Sequence, residues 1–191
     1  MEKLHNFDEV YDSQKVFRII LEAMSNPARK ISVKEWADKL YGENPVLLTV
    51  AMTLLDNEVS FNTCKDEALS AQISLLTHAR ETKEEDADYL FVSDSRKLSK
   101  VIEKAKSGTL ADPHRCATII ALQEDTDECC LKLYGAGQPG IVEFHTSGTV
   151  RQAILQRDRQ LYEYPEGIDF IFVSKEGNLF CIPRLTLMEE K

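Results

Sequence analysis

Residues Tyr164 to Thr186 read YPEGIDFIFVSKEGNLFCIPRLT. Two short apolar runs, Ile168 to Ser174 and Leu179 to Pro183, flank the turn Lys175-Glu176-Gly177-Asn178. Runs of this length bounded by Pro, Gly and Asn read as strands, and a short turn carrying Gly joins them as an antiparallel pair. Phe170 and Phe172 are core candidates.

Just upstream, Val150 to Tyr162 reads as a helix. Before it, Ala117 to Gln123 (ATIIALQ) and Cys129 to Tyr134 (CCLKLY) read as strands across the polar turn EDTDE, so a hairpin-like antiparallel pair is expected there. Tyr89 to Ser93 (YLFVS) is a further strand. A basic amphipathic helix follows it from Asp94 to Ser107 and ends at Gly108, which makes a βα unit.

The first half alternates helix and strand. Val16, Phe17, Ile20, Leu21 and Met24 share one face of a helix from Ser13 to Ser25, with Asp12 or Ser13 as N-cap and Asn26-Pro27 as its stop. Asn44 and Pro45 open PVLLTVAMTLLD, which is apolar over most of its circumference and therefore buried. Glu58 to Asn62 reads as a strand, and Asp66 to His78 as a helix through Leu69, Ile73 and Leu76. Trp36 and Phe91 join the expected core. Elements neither strictly βαβ nor segregated, with no repeat, linker or composition break, predict one α/β domain over 1–191, a three-layer αβα arrangement around a mixed sheet.

Composition narrows the function. The chain has 191 residues with 43% hydrophobic and 29% charged side chains, enough to bury one core. Thirty-two acidic against 23 basic residues leave a net charge of -9, which offers no attraction to nucleic acid or an anionic membrane. The acidic run Glu81 to Asp88 reads as a solvated loop. Cys64, Cys116, Cys129, Cys130 and Cys181 are odd in number and lack CxxC spacing, so no metal is expected and a reduced cytoplasm fits. The start MEKLHNFDEVYD is too acidic for a signal peptide, and no run approaches the ~20 apolar residues that span a bilayer.

Few residues invite chemistry. The glycines of LYGAGQPG (Leu133 to Gly140) follow a strand and could bring backbone N–H groups near a phosphate, but without GxGxxG spacing a tight turn is the better reading. Asp169 and Arg184 stand at corresponding ends of the last two strands, where the register can bring a carboxylate and a cation together. Structural locking or a subunit contact is the expected use. Gly135, Gly137, Asp169 and Arg184 are the candidate ligand-binding set. His114 lies two residues from Cys116, yet that cysteine leads into a buried strand and reads as inert core. Cys129 and Cys130 point to opposite faces of one strand. Lys97, Lys100, Lys104 and Lys106 form a solvated helix face. No residue is assigned a catalytic role.

Several stretches resemble the H subunit of bacterial carbon-phosphorus lyase systems. In order they are FRIILEAMSNP (Phe17 to Pro27), LLDNEVSF (Leu54 to Phe61), GTLADPHRCATII (Gly108 to Ile120), LYGAG (Leu133 to Gly137), YPEGIDFIFV (Tyr164 to Val173) and CIPRLT (Cys181 to Thr186). The sequence departs where the family often has Gly at Ala28, Pro at Ala136 and Thr at Leu185. The resemblance implies a fold similar to the large domain of pyridoxal-phosphate-dependent transferases, without the cofactor or its lysine. It also implies a homodimer, and association with the G, I and J subunits. That system converts alkyl phosphonate plus ATP to ribosyl phosphonate triphosphate, with the catalytic groups and the iron-sulfur step in its partners. The expected role is a non-catalytic subunit. The alternative is a transferase component with its own phosphonate or nucleotide site.

Overall fold

The structure, a computed structural model, describes residues 5–135, 138 and 140–189. It begins with helix α1 (Tyr11–Ser25), strand β1 (Ile31–Ser32), a single helical turn α2 (Lys34–Ala37), α3 (Pro45–Leu54) and β2 (Ser60–Asn62). There follow α4 (Glu67–Thr77), β3 (Arg80–Glu81), β4 (Tyr89–Val92), α5 (Leu98–Lys104) and β5 (Thr118–Leu122). The chain then makes β6 (Cys129–Gly135), β7 (Val142–Thr146), α6 (Gly148–Asp158), β8 (Asp169–Val173), β9 (Asn178–Ile182) and β10 (Thr186–Met188).

Seven strands form one mixed sheet in the order β1-β9-β8-β5-β4-β2-β3. Strands β8, β5, β4, β2 and β3 run parallel, while β9 returns antiparallel to β8 as the Lys175–Asn178 turn requires. Gly177 takes φ +91 in that turn, and a Cβ there would come within 2.7 Å of the Lys34 backbone, so glycine is needed on both counts.

Alternation along the central strands divides the core between two faces. Leu90, Val92, Ile119, Ala121, Phe170 and Phe172 pack against Leu98, Val101 and Ile102 of α5 and Val150, Ala153 and Ile154 of α6. Phe91, Ile120, Ile171 and Val173 meet Val16 and Ile20 of α1, Leu47 and Leu48 of α3, and Leu69 and Ile73 of α4. Helices thus cover both faces of a mixed α/β sheet, which accounts for the near-continuous apolar character of β4, β5 and β8.

The expected hairpin of β5 and β6 does not form. β5 lies between β4 and β8, parallel to both, whereas β6 sits in a separate sheet of order β10-β6-β7. The reason lies in their patterns. β5 buries side chains on both faces and belongs in an interior sheet, while β6 buries Leu131 and Leu133 and turns Cys130 and Tyr134 to solvent. Strand β7 completes that smaller sheet in a stretch where no element was expected. Its Phe144 packs edge-on against Phe180 and so joins the two sheets in one core.

Other boundaries differ for local reasons. Asp8 caps α1, accepting from the N–H groups of Val10 at 2.9 Å and Tyr11 at 2.7 Å, while the expected cap Asp12 turns inward to Lys39 at 2.8 Å. The helix expected from Asp94 to Ser107 is shorter: Asp94 caps a 3-10 turn at Ser95–Lys97, and α5 ends at Lys104 before a bridge pairs Ser107 with Cys116. Ala28 takes φ 68, a conformation in which glycine is the default residue. Asp66 caps α4 by accepting from Leu69 N–H at 3.0 Å, and α3 opens with Pro45 as the sequence predicts.

Candidate functional site

The parallel strands define two ends, and two of the groups expected to matter, Asp169 and Arg184, lie at the amino end. Asp169 opens β8, and Arg184 follows β9, which runs back to the same end. Asp169 Oδ1 accepts from the Arg184 main-chain N–H at 2.7 Å, and its Oδ2 accepts from Nη1 at 3.0 Å. Arg184 Nη1 also lies 3.0 Å from Cys116 Sγ, and its Nε donates to the Pro165 carbonyl at 3.1 Å. The pair foreseen from the register therefore exists. It ties the strand ends to the Pro165 loop.

Cys116 belongs to this cluster. Burial, followed by the adjacent Asp169 carboxylate, pushes its thiol up to about 11 against the opposing pull of Arg184. A thiol in that range stays protonated at neutral pH. His114 stands exposed in the turn Pro113–Arg115, and the partners of the sulfur are Asp169 and Arg184.

Gly135 serves a different purpose. It ends β6 opposite Thr186 of β10 with φ +131, and a Cβ there would collide with the Leu185 carbonyl. Glycine lets the two backbones approach, and Gly135 does not share the Arg184 guanidinium cluster. Gly137 lies outside the described residues.

A further anchor gave no signal in the sequence. Arg157, near the end of α6, is only 1% exposed, and its guanidinium stacks over the Phe170 ring at 5.5 Å. It donates to the Pro183 carbonyl at 3.1 Å, to the Thr186 carbonyl, and to Asp158 at 2.9 Å. A charged residue on a helix reads as solvent-facing until the chain turn that needs its donors is known. The lysines in and beside α5 depart from expectation in a related way. Lys106 holds Asp88 at 2.6 Å, Lys104 holds Glu84 at 2.7 Å, and Lys97 reaches the Cys64 carbonyl at 2.8 Å, so part of the acidic run is clamped to the fold.

Ligands of open α/β sheets sit at the carboxyl ends of the strands, at the point where winding reverses. Here that point lies between β2 and β4, whose crossovers through α4 and α5 pass on opposite faces. Ser93 donates to Asp66 across it at 2.5 Å, beside Cys64 and Lys65 with φ 54 and 69. Next to this contact a cleft of about 710 Å³ opens over the carboxyl ends of β4, β5 and β8. Its walls include Ser93, Arg96, Gln123, Asp125, Thr126 and Lys175. Asp94 pairs with Arg96 at 2.9 Å, Asp125 with Lys30 at 3.0 Å, and Gln123 accepts from Ser147 at 3.1 Å. The cleft is a polar surface of both charge signs, suited to a hydrogen-bonding ligand more than to a bare anion.

Among the described residues no group of three His, Cys, Asp or Glu could hold a metal ion, and no helix is long and apolar enough to cross a membrane. The fold and these clusters define a mixed α/β protein whose strand ends are locked by ion pairs and whose carboxyl edge carries an open polar cleft. The chain belongs to the bacterial phosphonate metabolism protein family PhnH, whose family model matches residues 5–189. No curated protein matches the sequence.

Proposed function

We propose that this chain is a non-catalytic binding and assembly subunit of a carbon-phosphorus lyase system. It works in the cytoplasm beside G, I and J subunits while that complex converts alkyl phosphonate plus ATP to ribosyl phosphonate triphosphate. The carrying observation is the family match, which spans the fold rather than one motif. Residues 1–191 act as one unit, dimeric when isolated, with a cofactor-less likeness to the large domain of pyridoxal-phosphate-dependent transferases.

Surface chemistry supports docking. Val10 just before α1 and Phe17 and Leu21 within it are exposed, and Tyr134, Ile141 and Leu187 lie exposed on the smaller sheet and its turn. Apolar side chains grouped in this way on a strongly acidic chain favour contact with other proteins. Asp169 and Arg184 act as a structural lock in this reading, because the guanidinium is already engaged by a carboxylate, a carbonyl and a sulfur.

The polar cleft over β4, β5 and β8 favours a second reading, a transferase component with its own phosphonate or nucleotide site. One experiment separates the two: native co-purification of the tagged chain from phosphate-starved cells, with mass spectrometry of every protein and small molecule recovered. Recovery of lyase subunits supports assembly. Recovery of the chain alone with a bound phosphonate or nucleotide overturns it in favour of the second reading.

A further inference from the structure

A second cleft, of about 410 Å³, lies between the end of α6 and the chain leaving β9. Leu161, Tyr162, Tyr164, Leu185 and Leu187 supply most of its walls. Leu161 is 85% exposed and Tyr164 79%, the two highest values among the exposed large hydrophobic side chains. Leu161 also holds φ 52, a left-handed conformation unfavourable for a branched side chain, which presents it to solvent where it covers no core.

The charges around this apolar floor are unbalanced. Arg157 is neutralised by Asp158 and Arg184 by Asp169. Glu166 in the wall and Glu163 beside it make no ion pair or side-chain hydrogen bond among the described residues. The result is an apolar pocket with a negative rim. Two copies of the chain facing each other through it would bring four unpaired carboxylates together, a repulsive arrangement for a symmetric contact.

We propose that this cleft receives an apolar side-chain anchor flanked by Lys or Arg, carried by a different polypeptide. The anchor fills the floor between Leu161, Tyr164 and Leu187, and the basic flanks meet Glu163 and Glu166. The inference rests on the assembly reading and names the surface through which one partner docks.

Three fluorescent peptides test it on the full chain: Leu-Leu-Phe flanked by lysines, the same core flanked by glutamates, and a lysine peptide with a serine core. The Lys-flanked apolar peptide is expected to bind about tenfold tighter than either other, and Leu161→Ser or Glu163→Lys/Glu166→Lys abolishes the preference. Equal binding of the serine-core peptide, indifference to the flanks, or no binding overturns the proposal. Light scattering in which Leu161→Ser converts a dimer to a monomer overturns it too, by assigning the cleft to a second copy.

Co-expression with the lyase subunits separates this inference from the reading beneath it. If wild type and Leu161→Ser both recover the subunits, the cleft assignment fails and assembly stands. If wild type recovers none although the peptide preference holds, the assembly reading fails and the cleft remains a docking site.

Discussion

Arg157 Nη1 in α6 donates to the Pro183 carbonyl at 3.1 Å, and through that contact the helix grips the turn that carries the chain from β9 into β10. The same guanidinium reaches Thr186, so three residues on, the strand that joins the smaller sheet is held as well. The Thr186 N–H, which donates to the Pro183 carbonyl at 2.9 Å, and the Arg184–Asp169 pair on the other side hold the same turn.

Arg157→Met should therefore remove a charged donor from the Pro183 and Thr186 carbonyls and leave Asp158 without its partner. Removing one member of a buried charged network costs about 3–5 kcal/mol. Urea unfolding should show a lower midpoint at an unchanged slope. A loss below about 1 kcal/mol would mean that water replaces the guanidinium.

Positive φ makes opposite predictions at two positions. Gly135→Ala drives a Cβ into the Leu185 carbonyl and should destabilise by about 2 kcal/mol or more. Leu161→Gly relieves φ 52 at an exposed site and should stabilise by roughly 1 kcal/mol. Paired thermal melts check both signs.

Acid stability follows from three aspartates held below the usual carboxylate range. Burial pushes Asp12 up, but the Asp8 N–H and the Lys39 ammonium prevail; at Asp88 burial is likewise overcome by Lys106 and Ser60. Asp125 is lowered chiefly by its hydrogen bond from Lys30, against burial and with help from Asn178. Because the folded values lie below the unfolded value of about 3.9, their stabilisation is present above that pH and is lost as pH falls through the folded values. Lys106→Met should cost about 1 kcal/mol at pH 7, and the gap from wild type should close in acid. Denaturation midpoints measured from neutral pH into the acid range check this.

Thiol labelling should sort the cysteines by environment. Cys130 is exposed and Cys129 half-buried, whereas Cys64, Cys116 and Cys181 are buried. Burial pushes Cys64 up to about 12 and raises Cys181 as well. Alkylation of the folded chain at pH 8, read by mass spectrometry, should modify Cys130 first and leave the three buried thiols intact until denaturant is added.

Much of the local structure was legible in the chain itself. The Lys175–Asn178 turn with its flanking apolar runs gives the β8–β9 hairpin, Asp66 starts α4, and Pro45 starts α3, because each signal acts within a few residues. The register of that hairpin also foretold the meeting of Asp169 and Arg184. Such information is carried by neighbours in sequence.

Only tertiary structure decided which strands pair. β5 and β6 both read as strands, but an apolar run states that a segment is buried without naming its neighbour, and EDTDE proved to be a crossing between two sheets instead of a hairpin turn. Burial of Arg157, the clamping of the acidic run by Lys104 and Lys106, and the two clefts arise where segments far apart in the chain converge. The physical reason is the range of the forces involved. Capping, turn geometry and periodicity act within a few residues, whereas sheet order, charge burial and cavity shape depend on contacts made only when the whole core has closed.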